Sequence, residues 1–181
     1  MIIWLNGAFG AGKTTTARHL AGRLDNARLF DAELVGYLLI AALDDHEFQD
    51  FQDLPPRREL VPVVAQKIAS FTGQHLIATQ TVLSEAYWAE LAQGFKKTSL
   101  EVYHVLLHAD SRALAARIKA DELDATACQW RLDHMGAYEK SRSWMASAAD
   151  LGIDSTDLSA VDVAERVAVE AQQRIATVDT G

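Results

Sequence analysis

A single cysteine, Cys128, stands in 181 residues. That excludes an intrachain disulfide framework and a cysteine-based metal cluster, and it suits a reducing cytoplasm. Positive charge is also scarce: 17 Lys and Arg against 25 Asp and Glu leave a formal charge of −8. An acidic surface repels phosphate backbones, so nucleic acid is not an expected partner. One mononucleotide is not excluded, because backbone N–H groups and one lysine can bind it locally. No apolar run is long enough for a transmembrane segment. The longest, 34–43, has the length of a buried helix. The apolar opening at 1–5 is too short for a signal-peptide core and has no basic leader, so the expected location is cytoplasmic. The six histidines form no metal pattern. His104 and His108 are four apart but fall in and just after an expected strand, without the helical geometry of a zinc pair.

What is present is an alternation of strands and helices. Residues 2–5 are a continuous apolar run, as in a central strand buried on both faces. Further strands are expected at 29–30, 75–83, 102–107 and 151–154, with helices between them, beginning with one over about 13–24. Ser84, Asp110 and Ser159 are expected N-caps, with Asp162 as a partner to the last, and Gly94 is expected to stop the helix at 85–93. Pro55 and Pro56 should break the chain before a helix over 59–71, with Pro62 in its first turn. The alternation predicts an α/β fold with a five-stranded parallel sheet in three layers. Two polar helical stretches, about 33–73 and 117–147, look like insertions around one core and not separate domains.

The motif that carries chemistry is Gly7-Ala8-Phe9-Gly10-Ala11-Gly12-Lys13-Thr14, which fits G-x-x-x-x-G-K-[ST] at every fixed position and is followed by Thr15. Glycines let the chain wrap so that successive N–H groups face phosphate oxygens. The helix that follows presents its N-terminus to the same anion. Lys13 would reach the β- and γ-phosphates of ATP, and the Thr14 hydroxyl would ligate Mg²⁺. The motif follows an apolar strand and opens a helix, the context it requires.

The stretch from Ile2 to Thr14, with Trp4-Leu5-Asn6-Gly7 and Phe9 inside the loop, resembles the opening of the ATP-binding tunicamycin resistance proteins. Phe30-Asp31, then Phe51-Gln52-Asp53-Leu54-Pro55 followed by Arg58, match the same family, and the resemblance weakens after about residue 110. That family is similar to nucleoside monophosphate kinases, gluconate kinase and chloramphenicol phosphotransferase. The resemblance implies a five-stranded P-loop NTPase core, a helical substrate-binding insertion and a helical lid. It also implies that Asp31, at the end of the second strand, orients or deprotonates an acceptor hydroxyl. A carboxylate beyond a strand's carboxyl end, near the loop, is placed for that work on physical grounds as well; its alternative is a helix N-cap. Arg58 would anchor the acceptor, with Arg57 beside it. Arg117 would stack on adenine, near a 153–156 loop that reads the base. Arg131 or Arg142 would close over the transferring phosphate. No apolar strand ends in the Asp of a Walker B motif; the third gives Ala78-Thr79-Gln80-Thr81, so Gln80 and Thr81 are candidate substrate or water contacts.

The expected function is tunicamycin resistance by ATP-dependent phosphorylation of a drug hydroxyl. Nucleotide-gated sequestration without transfer, and a metabolic small-molecule kinase, stay open. Tunicamycin is a uracil nucleoside carrying a sugar and a fatty acyl chain. The apolar 34–43 run, with Phe48 and Phe51, would suit such a chain, or is an ordinary buried helix face. The last helix, apolar at Val161, Val163, Ala164, Val167, Ala168 and Ile175, lacks the basic face of a membrane helix and should pack on the sheet.

Overall fold

The computed structural model describes residues 1–48, 50–121 and 126–178. Five strands, β1 (Ile2–Gly7), β2 (Ala27–Phe30), β3 (His75–Thr79), β4 (Val102–His108) and β5 (Leu151–Asp154), form one parallel sheet in the order β2-β3-β1-β4-β5. The helices are α1 (Lys13–Ala21), α2 (Glu33–Ala42), α3 (Pro55–Thr72), α4 (Glu85–Lys97), α5 (Ser111–Lys119), α6 (Cys128–Asp133), α7 (Met135–Ala148) and α8 (Ala160–Val178). This is the five-stranded parallel α/β architecture expected from the alternation of elements.

β1 lies at the centre because it is apolar on both faces. Ile3 and Leu5 join a core with Leu20 of α1, Leu114 of α5 and Val167 of α8. Ile2 and Trp4 join a second core with Val61 of α3 and Trp88 and Phe95 of α4. The two-residue period of the strand thus feeds two layers at once. The chain leaves β1 for α1 on one face and leaves β3 for α4 on the other. Between adjacent parallel strands, that divergence opens a crevice beyond their carboxyl ends. α8, expected to pack on the sheet, lies against α1 and buries Val163 and Val167 in the core that β1 and β4 share. Its Ser159 cap closes with Asp162: Asp162 N donates to Ser159 Oγ at 3.2 Å, and Ser159 Oγ–H to Asp162 Oδ2 at 2.6 Å.

Four local expectations are corrected. α3 begins at Pro55, with its prolines at the first two positions, where a missing N–H costs nothing. Pro62 therefore lies inside the helix and not in its first turn. Gly94 does not stop α4 but sits within it: a Cβ there would stand 2.7 Å from Pro62 Cγ, so the glycine is a contact point between α3 and α4. β3 ends at Thr79, not 83, because Asn6 captures the next main chain. Its Oδ1 accepts from Val82 N at 3.0 Å, and its Nδ2 donates to Val82 O at 3.4 Å. Finally, α2 is not a buried helix. Leu34, Tyr37 and Leu38 are 61%, 53% and 66% exposed, and only Val35 and Gly36 face the body.

The expected polar lid at 117–147 comprises the end of α5, α6 and α7; residues 122–125 of that span lie outside the described ones. It carries more core than its composition implied, since Tyr138 and Met145 of α7 are buried. Among the described residues no helix is long and apolar enough to cross a membrane.

Candidate functional site

The loop between β1 and α1 is built by glycine. Gly7, Gly10 and Gly12 all have positive φ, at 142°, 78° and 90°. At Gly7 the requirement is absolute: a Cβ would lie 2.1 Å from the Leu107 carbonyl oxygen of β4. The loop can leave the sheet here only if this residue has no side chain. Ala8 and Ala11 are buried beneath the loop, while Thr14 and Thr15, at the start of α1, face solvent.

Polar side chains brace this cradle. Asn6 Oδ1 accepts from Gly7 N at 2.8 Å as well as from Val82 N. Thr81 Oγ–H donates to Gly7 O at 2.9 Å, and Thr81 Oγ1 accepts from Lys13 Nζ at 2.8 Å. Lys13 Nζ also donates to Gly7 O at 3.0 Å and Ala8 O at 2.8 Å. The ammonium is thus fixed at the mouth of the loop. Loss of hydration pushes the Lys13 pKa down to about 7; nearby Glu33 opposes that shift and Arg131 adds to it.

A cleft of about 340 Å³ opens in front of the loop, and Lys13, Thr14, Glu33, Gln80, Thr81 and Arg131 all line it. The structure therefore brings together the phosphate loop, two of the polar residues after β3 and Arg131, one of the two candidate lid arginines. Arg131 donates to Asp121 Oδ2 at 2.8 Å. Arg142 pairs with Glu139 at 3.9 Å and does not line the cleft.

Asp31 sits beside the cleft, in an adjoining cavity of about 250 Å³ that it shares with Thr14, Arg18 and Glu33. Its Oδ1 accepts from Glu33 N at 2.9 Å, so it closes the first turn leading into α2. Glu33 is the carboxylate that reaches both cavities. Burial raises its pKa, as does Asp31, against the pull of Arg57 and Lys13. Sequence reasoning passed over Glu33; the available signal was a second carboxylate two residues beyond Asp31.

The two arginines of α3 are buried and occupied. Arg57 Nη2 donates to Gln80 Oε1 at 2.7 Å and to Ala32 O at 3.4 Å. Burial lowers its pKa to about 10, with Glu33 the leading opposing charge. Gln80 Nε2 has no hydrogen-bond partner and is buried at the cleft. Arg58 pairs with Glu90 at 2.6 Å, donates to Gln52 O at 2.6 Å and stacks on the Tyr87 ring at 4.1 Å. It does not line the cleft. Arg117 lies at the other end, bonded to Ser155 O at 2.7 Å and Thr156 O at 3.0 Å. Arg117 and the 153–156 loop are therefore in contact. Phe9 points from the loop to Trp130, with ring centroids 5.0 Å apart. Trp130 was also missed, because the same polar segment holds a second tryptophan, Trp144, and nothing local separates the two.

A family model described as an AAA domain matches residues 2–152. No curated protein matches the sequence. Among solved structures, the tunicamycin resistance protein of Deinococcus radiodurans superposes with a TM-score of 0.73 at 26% identity, covering 94% of this chain and 95% of that one. Shikimate kinase from Acinetobacter baumannii, in complex with shikimate, gives 0.59 at 20% identity, with 96% and 93% covered. A sugar kinase from Janibacter sp. gives 0.60 at 18% identity, with 92% and 91% covered. The last two show the shared kinase-like fold.

Proposed function

Since the chain belongs to the AAA domain family, matched across residues 2–152, we propose that it is an ATP- and Mg²⁺-dependent phosphotransferase acting on a hydroxyl of a nucleoside-like small molecule such as tunicamycin. The observation that carries this reading is the convergence of Lys13, Thr14, Glu33, Gln80 and Arg131 on one cleft at the mouth of the glycine loop. The likeness to the Deinococcus radiodurans tunicamycin resistance protein supports the choice of acceptor.

The donor set fits the ligands proposed. A loop that excludes a Cβ and carries a fixed ammonium suits a triphosphate. The exposed Thr14 hydroxyl, with the Asp31 carboxylate in the same cavity, offers hard oxygen donors for Mg²⁺. That ion, when bound, would neutralise charge on the β- and γ-phosphates. Glu33 takes the proton from the acceptor hydroxyl as the new O–P bond forms. The bond to the bridging oxygen of the β-phosphate breaks, and ADP leaves. A carboxyl pKa above the usual range is better matched to this transfer near neutrality than an ordinary one. Asp31, by closing the turn at Glu33 N, orients the base. Arg131 supplies a guanidinium toward the transferring group, and Gln80 Nε2 is a free donor for the acceptor. Arg117 holds the base side of the nucleotide through the 155–156 loop. Arg58 acts at one remove, by setting Tyr87 and Gln52.

A second reading, retention of the drug without transfer, is favoured by the exposed apolar side of α2 at Leu34, Tyr37 and Leu38. Incubation with γ-labelled ATP and tunicamycin separates the two. Transfer predicts label on the drug; stoichiometric drug binding with no label leaves retention.

A further inference from the structure

Beside the phosphate cleft lies a second cavity of about 190 Å³, and the two share Phe9, Asp50, Gln52, Thr81 and Trp130. Its lining is aromatic and acidic. Phe9 meets Trp130 edge-on at 5.0 Å, and Trp130 lies 4.0 Å from His134. Tyr87 adds a further ring, its hydroxyl donating to Asp53 Oδ1 at 3.0 Å. Asp50 and Asp53 supply two carboxylates, and no lysine or arginine among the described residues lines the cavity. The arginines nearest in sequence are spent elsewhere: Arg57 on Gln80 and Ala32, Arg58 on Glu90 and Gln52.

We infer that this cavity is the acceptor subsite, that it holds a flat ring against Trp130 and Tyr87, and that it selects uncharged acceptors over anionic ones. The inference rests on the phosphotransferase reading and specifies its substrate class. Aromatic faces bind ring faces of any sequence of substituents. Carboxylates accept hydrogen bonds from hydroxyls and ring N–H groups, but a phosphate or carboxylate among them meets like charge, with the His134 imidazole the one basic group in the lining and no ammonium or guanidinium there. The position also suits transfer. Phe9 belongs to the phosphate loop, and Trp130 is followed by Arg131, which lines the phosphate cleft. A ring seated on Trp130 therefore lies at the end of the cradle where the γ-phosphate would be.

The test uses the whole chain with Mg-ADP saturating the loop, confirmed by calorimetry, so that an added phosphate cannot compete there. Trp130 is 46% exposed, whereas Trp4 and Trp88 are buried and Trp144 is half-buried, so the part of the fluorescence that Trp130→Phe removes reports the cavity. Uridine should quench it saturably, and uridine 5′-monophosphate should bind at least about tenfold more weakly. The quench should vanish in Trp130→Phe. The paired substitution Asp50→Asn and Asp53→Asn, which keeps an acceptor oxygen at each position, should narrow the gap between the two probes. Absence of a saturable uridine quench, a monophosphate binding as well as uridine, a quench surviving in Trp130→Phe, or an unchanged gap in the paired variant would each overturn the inference. If the monophosphate binds better while Mg-ADP still binds, the acceptor assignment falls and the phosphotransferase reading stands. If Mg-ADP does not bind, both fall.

Discussion

The two sides of the cleft are built on different principles. On the nucleotide side, main chain meets main chain: Gly7 stands against the Leu107 carbonyl with no room for a side chain, and Asn6 and Thr81 tie the loop to the strand ends. On the acceptor side, side chains meet side chains. A Cβ at Gly36 would first meet the Phe51 side chain, at 2.9 Å, and Phe51, which precedes the cavity residue Gln52, lies under Arg57 and beside Tyr37. A backbone cradle tolerates one geometry, whereas a wall of rings can move. The first therefore suits a constant group, the triphosphate, and the second suits a variable one.

Substitutions should break this contrast in order of severity. Glu33→Gln should lower kcat by about 10²- to 10⁴-fold, the usual worth of a positioned base, while nucleotide affinity changes little. The pH profile carries the sign. Glu33 must be ionised to accept a proton, and its pKa is raised, so wild-type activity should fall on acidification above the ordinary carboxylate range. Asp31→Asn should keep an acid limb but move it to lower pH, because the Asp31 charge helps raise the Glu33 pKa, and should cost less in kcat, because an amide oxygen can still accept from Glu33 N. An acid limb unchanged in Glu33→Gln would remove Glu33 from the mechanism.

Gly7→Ala should come next, costing about 1–3 kcal/mol in urea denaturation from overpacking against β4, together with loss of Mg-ATP binding. Gly36→Ala should be mildest. The Phe51 ring can shift, so the acceptor KM should rise a few-fold, within the roughly 1.5 kcal/mol of a tolerated core change, with ATP affinity unaltered. Equal effects on both substrates at either glycine would erase the distinction between the two sides.

How much of this could be read from the sequence divides along the same line. The loop's chemistry is written in fixed spacing after an apolar strand, so its residues were legible one by one. The existence of each strand was legible too, from short apolar stretches, although β2 carries Arg28 and β3 was drawn four residues too long. The adjacency of β1 to β3 and β4 was not, since it depends on which face each connection takes. The acceptor side was read less well because its roles are relational. Arg57 and Arg58 carry the charge expected of anchors, yet burial and the partners Gln80 and Glu90 decide what each does. Gly94 has the chemistry of a helix stop and is instead a bed for Pro62. Glu33 and Trp130 matter through where α2 and α6 place them, which no local pattern states.

The most direct test of the account is a calorimetric titration of Mg-ATP into the wild-type chain and Lys13→Ala, at pH 6 and pH 8 in buffers of different ionisation enthalpy. In the free chain the Lys13 pKa is about 7, and a bound triphosphate raises it by opposite charge. Binding should therefore take up close to one proton at pH 8 and almost none at pH 6. Lys13→Ala should bind at least about 100-fold more weakly, the loss of a charge-assisted contact worth roughly 3 kcal/mol, with no uptake. Equal affinity in the two chains, with no pH-dependent proton uptake in the wild type, would contradict it.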